Sequence, residues 1–208
     1  MLFRSNRLKA TLKDQYKVND DKAFFGFDAY KHVLAQDINI VILATPPGFR
    51  PIHFQAAVEA GKNIFMEKPI AVDGAGVRSV IASGAIAKQK GLAVVSGTQR
   101  RHQAPYLEIM KRIHDGAIGE VVAAQVYWNQ GGLWLNDRQP GWSDTENQIR
   151  NWLYYAWLSG DHIVEQHIHN LDVANWAFDT HPKRCLALGG DRKSTRLNSS
   201  HTVISYAV

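Results

Sequence analysis

The feature that most constrains this chain is the run Ile38-Asn39-Ile40-Val41-Ile42-Leu43-Ala44, closed by Thr45-Pro46-Pro47-Gly48. A nearly continuous β-branched run of this length suits a parallel strand covered on both faces, not the alternating strand of a half-solvated sheet. Its neighbours have a different period. Pro51 to Ala60 reads as a helix closed by Gly61, Ile64 to Met66 as a short strand, and Asp73 as the cap of a helix running to about Lys90 and closed by Gly91. Leu92 to Ser96 is the next strand and Pro105 to His114 the next helix. Strands that alternate with helices predict βαβ units, an α/β fold with a parallel sheet, and ligands at the carboxyl ends of the strands.

The flanks carry weaker patterns. Leu8, Leu12 and Tyr16 recur every four residues and predict an amphipathic helix over 7–17; Phe27 to Gln36 predicts another, with Asp28 as its N-cap. Glu120 to Trp128 alternates like a strand. Residues 129–159 show no clear period, 161–178 read as one helix, and Arg184 to Leu188 as a strand. The domain transition falls near residues 97–120.

Residues 191–208 stand apart, since they lack periodicity and relate to nothing before them. They resemble a translated short-read sequencing adapter: Asp191 to His201 in one frame, an index at Thr202 and Val203, then Ile204 to Val208. The expectation is a non-native tail, with the natural reading frame interrupted at Gly190. Excluding Arg192, Lys193, Arg196 and Asp191 changes the charge balance from 24 basic against 19 acidic residues to 21 against 18, or from +5 to +3. The remaining basic residues are scattered, not striped with aromatics on one face, which argues against a nucleic-acid partner. No window has the length of a membrane span and no signal peptide opens the chain, so the expectation is a cytoplasmic protein without a membrane partner. One cysteine, Cys185, excludes an internal disulfide framework; its apolar surroundings predict a buried, inert thiol.

Three segments carry chemistry. Ala44-Thr45-Pro46 ends the buried strand where a cofactor passes in a doubly wound sheet. In Glu67-Lys68-Pro69, a lysine after a short strand points its ammonium into the cleft, able to donate to a hydroxyl or lower a neighbour's pKa. In the segment Gly160 to Asp172, the residues Glu165, His169 and Asp172 fall on one helical face. An imidazole beside a carboxylate suits proton exchange with an alcohol. His162, Glu165 and His169 equally offer metal ligands, although their spacing matches no zinc-helix motif.

Together these segments resemble the glucose–fructose oxidoreductase and inositol dehydrogenase family (Gfo/Idh/MocA). The resemblance rests on Ala44-Thr45-Pro46 with His53 in the next helix, and on Ala60-Gly61-Lys62-Asn63-Ile64-Phe65-Met66-Glu67-Lys68-Pro69. Gln99-Arg100-Arg101 and Gly116-Ala117-Ile118-Gly119-Glu120 complete it, over roughly residues 24–190. It implies a Rossmann-type domain, partial here, followed by the start of an α+β substrate domain. It also implies that Lys68 contacts the reacting hydroxyl, and that His169 and Asp172 match the histidine and last aspartate of an Asp-x-x-x-His-x-x-Asp helix. Glu165 stands where the family has its first aspartate, and Gln166-His167 replace the residues between. The family's opening Gly-x-Gly-x-x-Gly, whose amides hold a pyrophosphate, has no counterpart here. A family member truncated at both ends is therefore expected.

The expected division is a partial NAD(P)-binding domain over 1–118, part of a substrate domain over 119–190, and the tail. The expected reaction is hydride transfer between a sugar or cyclitol carbinol and NAD or NADP. Lys68, His169 and Glu165 would be catalytic. Ala44, Thr45, Pro46, His53, Glu67 and Lys68 would face the cofactor, and Arg101, Trp128, Asn170 and Asp172 the substrate. Trp134 and Trp142 are further stacking candidates. The expected partner is a small polyol or sugar, within a homo-oligomer when intact. The alternatives are an NAD-dependent glycoside-cleaving enzyme of the same fold, a metal-dependent hydrolase or lyase using His162, Glu165 and His169, and a non-catalytic sugar-binding member.

Overall fold

The computed structural model describes residues 8–188 and 203–207. Its centre is a parallel three-stranded sheet of β1 (Ile40–Leu43), β2 (Asn63–Met66) and β3 (Val94–Ser96), in that spatial order. Ile40 pairs with Asn63 and Leu43 with Met66; Ile64 pairs with Val94 and Met66 with Ser96. Three helices precede or connect these strands: α1 (Ala29–Leu34), α2 (Arg50–Glu59) and α3 (Gly74–Gln89). Leu34, Phe54, Ala57, Val58, Val80 and Ala87 from these helices pack against Val41, Leu43, Ile64 and Met66 of the sheet in one core. The predicted βαβ order is therefore present. Both predicted helix stops are left-handed glycines, Gly61 (φ 69°) and Gly91 (φ 67°), a conformation that costs glycine no Cβ clash.

Several expectations change. β1 is covered on one face only: Ile40 and Ile42 are 63% and 69% exposed. Helices α1, α2 and α3 all supply the same core, and among the described residues no element covers the other face. The helix predicted over 7–17 is helical over 8–12 and continues as a 3₁₀ turn at Lys13–Gln15, with Leu8 and Leu12 exposed. Asp28 makes no capping bond to α1, because its carboxylate pairs with Lys31. Asp73 does cap α3, accepting from the Gly76 amide at 2.6 Å.

Beyond the sheet lie α4 (Ala104–His114), α5 (Asp144–Arg150), α6 (Ala156–Ser159), α7 (Asp161–Glu165) and α8 (Ile168–Phe178). The strand predicted at 120–128 is not formed. That stretch has no ladder partner among the described residues, and alternation without a partner cannot satisfy backbone groups as a sheet. Conversely, the apparently patternless 129–159 holds α5 and α6. The signal for α5 was Ser143-x-x-Glu146, whose serine accepts from the Glu146 amide at 3.1 Å. The second half packs closely on the first at Gly48, where an added Cβ would sit 2.4 Å from the Trp157 carbonyl oxygen.

Strand β4 (Arg184–Leu188) pairs antiparallel with β5 (Val203–Ala207), Arg184 opposite Ala207 and Leu188 opposite Val203. β5 lies within the stretch read as a non-native tail. This ribbon is a separate two-stranded sheet, and Arg184 to Ala187 are exposed. Cys185 is accordingly exposed, correcting the expectation of a buried thiol: an apolar run is buried only where another layer covers it.

Candidate functional site

The parallel strands deliver three chain ends to one place. After β1 come Ala44, Thr45 and Pro46; after β2, Glu67 and Lys68; after β3, Gly97 and Thr98. Carboxyl ends of adjacent parallel strands are where such sheets bind ligands. Arg50, only 2% exposed, braces this rim. Its guanidinium donates to the Leu43 carbonyl at 2.6 Å and to the Pro69 carbonyl at 3.4 Å. Burial lowers Arg50 to about 10, so it still carries its charge at neutral pH. Thr45 Oγ1 lies 3.1 Å from His53 Nδ1, while Tyr30 and Phe49 flank the same imidazole at 4.5 and 6.0 Å between ring centres. Burial, then the charge of Arg50, lowers the His53 pKa. A neutral His53 thus stands behind the exposed Ala44–Thr45 turn. Glu67 folds over Gly97, where a Cβ would come within 2.4 Å of its Oε2.

Lys68 reaches across to the second half. Its Nζ donates to Glu165 Oε1 at 2.7 Å and to the Glu165 backbone carbonyl at 2.5 Å. The two side chains are 13% and 10% exposed. That second bond explains why residues 161–178 do not form the single helix expected. In a continuous helix the Glu165 carbonyl would receive the His169 amide. Here it receives Lys68, the His169 amide donates to Gln166 O at 3.3 Å, and the His167 amide reaches back five residues to His162 O. Glu165 closes α7 and His169 opens the first turn of α8. The one-face alignment of Glu165, His169 and Asp172 on an unbroken helix is therefore replaced by a bend. Lys68, His169 and Asp172 nevertheless line one cleft, with Thr98, Arg100 and Ile168.

Electrostatics give each group a state. Burial raises the Glu165 pKa despite the opposing hydrogen bond and charge of Lys68, and Glu165 Oε2 is buried without a hydrogen-bond partner among the described residues. Burial, reinforced by Lys68 and Arg100 and opposed by Asp172, lowers His169 to about 4. His169 is thus a neutral imidazole at physiological pH. Trp128 stacks on it at 5.4 Å with planes 22° apart.

The other predicted residues divide clearly. Arg101 holds Asp172 through both carboxylate oxygens at 2.9 Å to 3.0 Å and lies over Trp176. Asn170 is used at both ends, accepting from Arg100 and donating to the Tyr127 carbonyl. Trp134 tilts against Trp152, and Trp142 lies under Arg150; neither belongs to the cleft lining. His162 bonds the Trp128 carbonyl and Glu165 is engaged by Lys68, so the metal set of His162, Glu165 and His169 does not converge. Among the described residues no group of three His, Cys, Asp or Glu side chains has metal-binding geometry. Arg50, Thr98, Arg100 and Ile168 were not selected from sequence. Arg100 was visible beside Arg101 at the strand end, but only the fold shows which of the two arginines lines the cleft.

A parallel α/β sheet whose strand ends carry Lys68, with Glu165 and His169 brought up to it by α7 and α8, is an open α/β architecture with its cleft where such sheets bind ligands. Residues 5–98 match the model of the oxidoreductase family with an NAD-binding Rossmann fold, GFO_IDH_MocA. Over that stretch, a little under half of its length, the chain is similar to this family. Among its curated relatives, scyllo-inositol 2-dehydrogenase (NADP(+)) IolW of Bacillus subtilis is 29% identical over 132 residues, 64% of this chain and 34% of that protein. Inositol 2-dehydrogenase of Acidothermus cellulolyticus is 25% identical over 158 residues, 76% of this chain and 40% of that protein. The matched stretches thus span well under half of these relatives. The solved structure of apo scyllo-inositol dehydrogenase from Lactobacillus casei shares the fold at TM-score 0.61 and 20% identity, covering 94% of this chain and 49% of that one. Among the described residues no helix is long and apolar enough to cross a membrane.

Proposed function

We propose that the whole protein transfers a hydride between the carbinol carbon of a sugar or cyclitol and NAD or NADP. The observation that carries this reading is the cleft: Lys68, from the end of β2, shares it with His169 of the second half and is held there by Glu165. The residues fit a nicotinamide. Ala44, Thr45, Pro46, Glu67 and Lys68 follow the carboxyl ends of β1 and β2, where open α/β sheets take such ligands, and His53 stands behind them against Thr45. The bound cofactor would supply the hydride acceptor.

The chain's own groups handle the proton. Neutral His169 accepts the proton of the substrate hydroxyl. Lys68, three donors on a compact ammonium, steadies the developing negative oxygen. Glu165 holds Lys68 in place from behind the cleft. Arg101 and Asp172 brace α8 against the loop after β3, and Trp128 offers a flat face beside His169. In this reading residues 1–118 form the NAD(P)-binding domain, 119–190 belong to the substrate domain, and 191–208 are non-native. We also assign the whole protein to the cytoplasm as a homo-oligomer. The test is steady-state NADH formation over a panel of sugars and cyclitols. Lys68→Ala and His169→Ala should each lower turnover about a hundredfold or more while circular dichroism stays unchanged. Folded variants with near wild-type turnover would overturn the assignment.

A further inference from the structure

The charges around the cleft do not cancel. Lys68 is matched by Glu165, and Arg101 by Asp172. Arg50, braced on carbonyls, has the Glu67 carboxylate as its nearest-acting acidic neighbour. His169 is neutral. That leaves Arg100. It lines the cleft beside Lys68 and His169, and among the described residues no carboxylate pairs with it. Its polar partner is an amide, Asn170 Oδ1. Its guanidinium lies over two aromatic rings, 5.5 Å from the Tyr106 centroid and 5.3 Å from that of Trp128.

This arrangement orients the cation without neutralising it. Aromatic contact leaves the charge of a guanidinium in place, and with Nη1 given to Asn170 the Nε and Nη2 donors remain, a pair able to grip a carboxylate through two bonds. Asn170, tied in turn to the Tyr127 carbonyl at 2.5 Å, fixes the rotation of that plane. The same surplus charge is felt locally, since Arg100 contributes to the lowering of His169. A cleft for neutral polyols needs acceptors and donors in mixture; here the acceptors of Asp172 and Asn170 are already spent on arginines.

We propose that Arg100 binds a carboxylate on the substrate, so that the cleft selects a sugar acid or carboxylated cyclitol over its neutral counterpart. The inference rests on the sugar reading above and deepens it. The carboxylate docks on Arg100 at the Trp128 side, and a ring hydroxyl then lies toward Lys68 and His169. Arg100 is a specificity-determining residue in this account, not an acid or base.

The test uses the full chain and its intrinsic tryptophan fluorescence, to which Trp128 in the cleft contributes beside five other tryptophans. Glucuronate and glucose are titrated as a matched pair, with acetate and inorganic phosphate as anion controls. Glucuronate should bind about tenfold or more tightly than glucose, the usual strength of a charge-assisted contact. In Arg100→Gln the ratio should collapse to within about twofold, and in Arg100→Lys part of it should persist, since charge returns without the fork. A merely structural role would weaken both sugars together and leave their ratio standing, which would overturn the proposal. So would acetate or phosphate competing as well as glucuronate binds. Equal wild-type affinities for glucuronate and glucose would overturn this inference and leave the sugar reading intact; no binding of either would overturn both.

Discussion

Removing the Glu165 carboxylate should cost this fold more than any surface change. In Glu165→Ala, the Lys68 ammonium stays at a position only 13% exposed and loses its counter-charge. Breaking a buried pair by deleting one partner typically costs about 3–5 kcal/mol. Two features lower the figure. Lys68 keeps its bond to the backbone carbonyl of residue 165, and the mutation also removes a buried Oε2 that has no partner among the described residues. The expected loss is therefore about 2–3 kcal/mol. For a chain of this size that lowers the melting midpoint by roughly 4–12 °C. The double variant Lys68→Met/Glu165→Leu should be more stable than Glu165→Ala alone, because it leaves no uncompensated buried charge. Thermal melts at pH 7 by circular dichroism, with chemical denaturation as a second measure, decide the matter. If Glu165→Ala melts within about 1 °C of wild type, or if the double variant is the less stable, the pair is not buried as described.

Three further outcomes follow from particular contacts. Because the folded His169 lies at about 4, below its ordinary value near 6.5, the unfolded chain binds the proton more readily between those values. Stability should therefore rise with pH from about 4 to 6.5 and be complete above it, worth at most about 3 kcal/mol and about 1–2 after solvent screening; His169→Gln should flatten this slope, and an unchanged slope in denaturant midpoints would refute the assignment. Gly48→Ala should destabilise by about 1–3 kcal/mol, since its Cβ meets the Trp157 carbonyl oxygen at 2.4 Å and the backbone must move; a neutral melt would show that the loop after β1 does not press on α6. Deleting residues 191–208 removes β5 from a two-stranded ribbon with an exposed partner, and such ribbons add little, so the midpoint should shift by less than about 2 °C; a drop of many degrees would show that the ribbon packs on the body.

How much was legible in the sequence depends on whether the signal was local. The βαβ order, the capping of α3 by Asp73, the glycines closing α2 and α3 and the placement of Lys68 at the end of β2 all follow from spacing and single-residue conformational preference. These operate over one or two turns of chain, and the structure agrees with them. Lys68 and His169 were likewise legible as candidates, Lys68 from its residue type at a strand end and His169 from its residue type and helical spacing to carboxylates.

What only the tertiary structure decided involves groups far apart in the chain. The bend between α7 and α8 exists because an ammonium 97 residues upstream takes the carbonyl that would have continued the helix; no periodicity within 161–178 records that competition. The bare face of β1, the exposure of Cys185 and the unformed strand at 120–128 depend on which layers and ladder partners are at hand, not on the apolar pattern itself. The same holds for charge. Arg100 and Arg101 are adjacent and chemically identical, yet one is neutralised by Asp172 and the other faces the cleft, because α8 brings Asn170 to one and Asp172, two residues on, to the other. Local sequence determines which elements form and what chemistry they carry; the burial and pairing of each charge are settled only when distant elements meet.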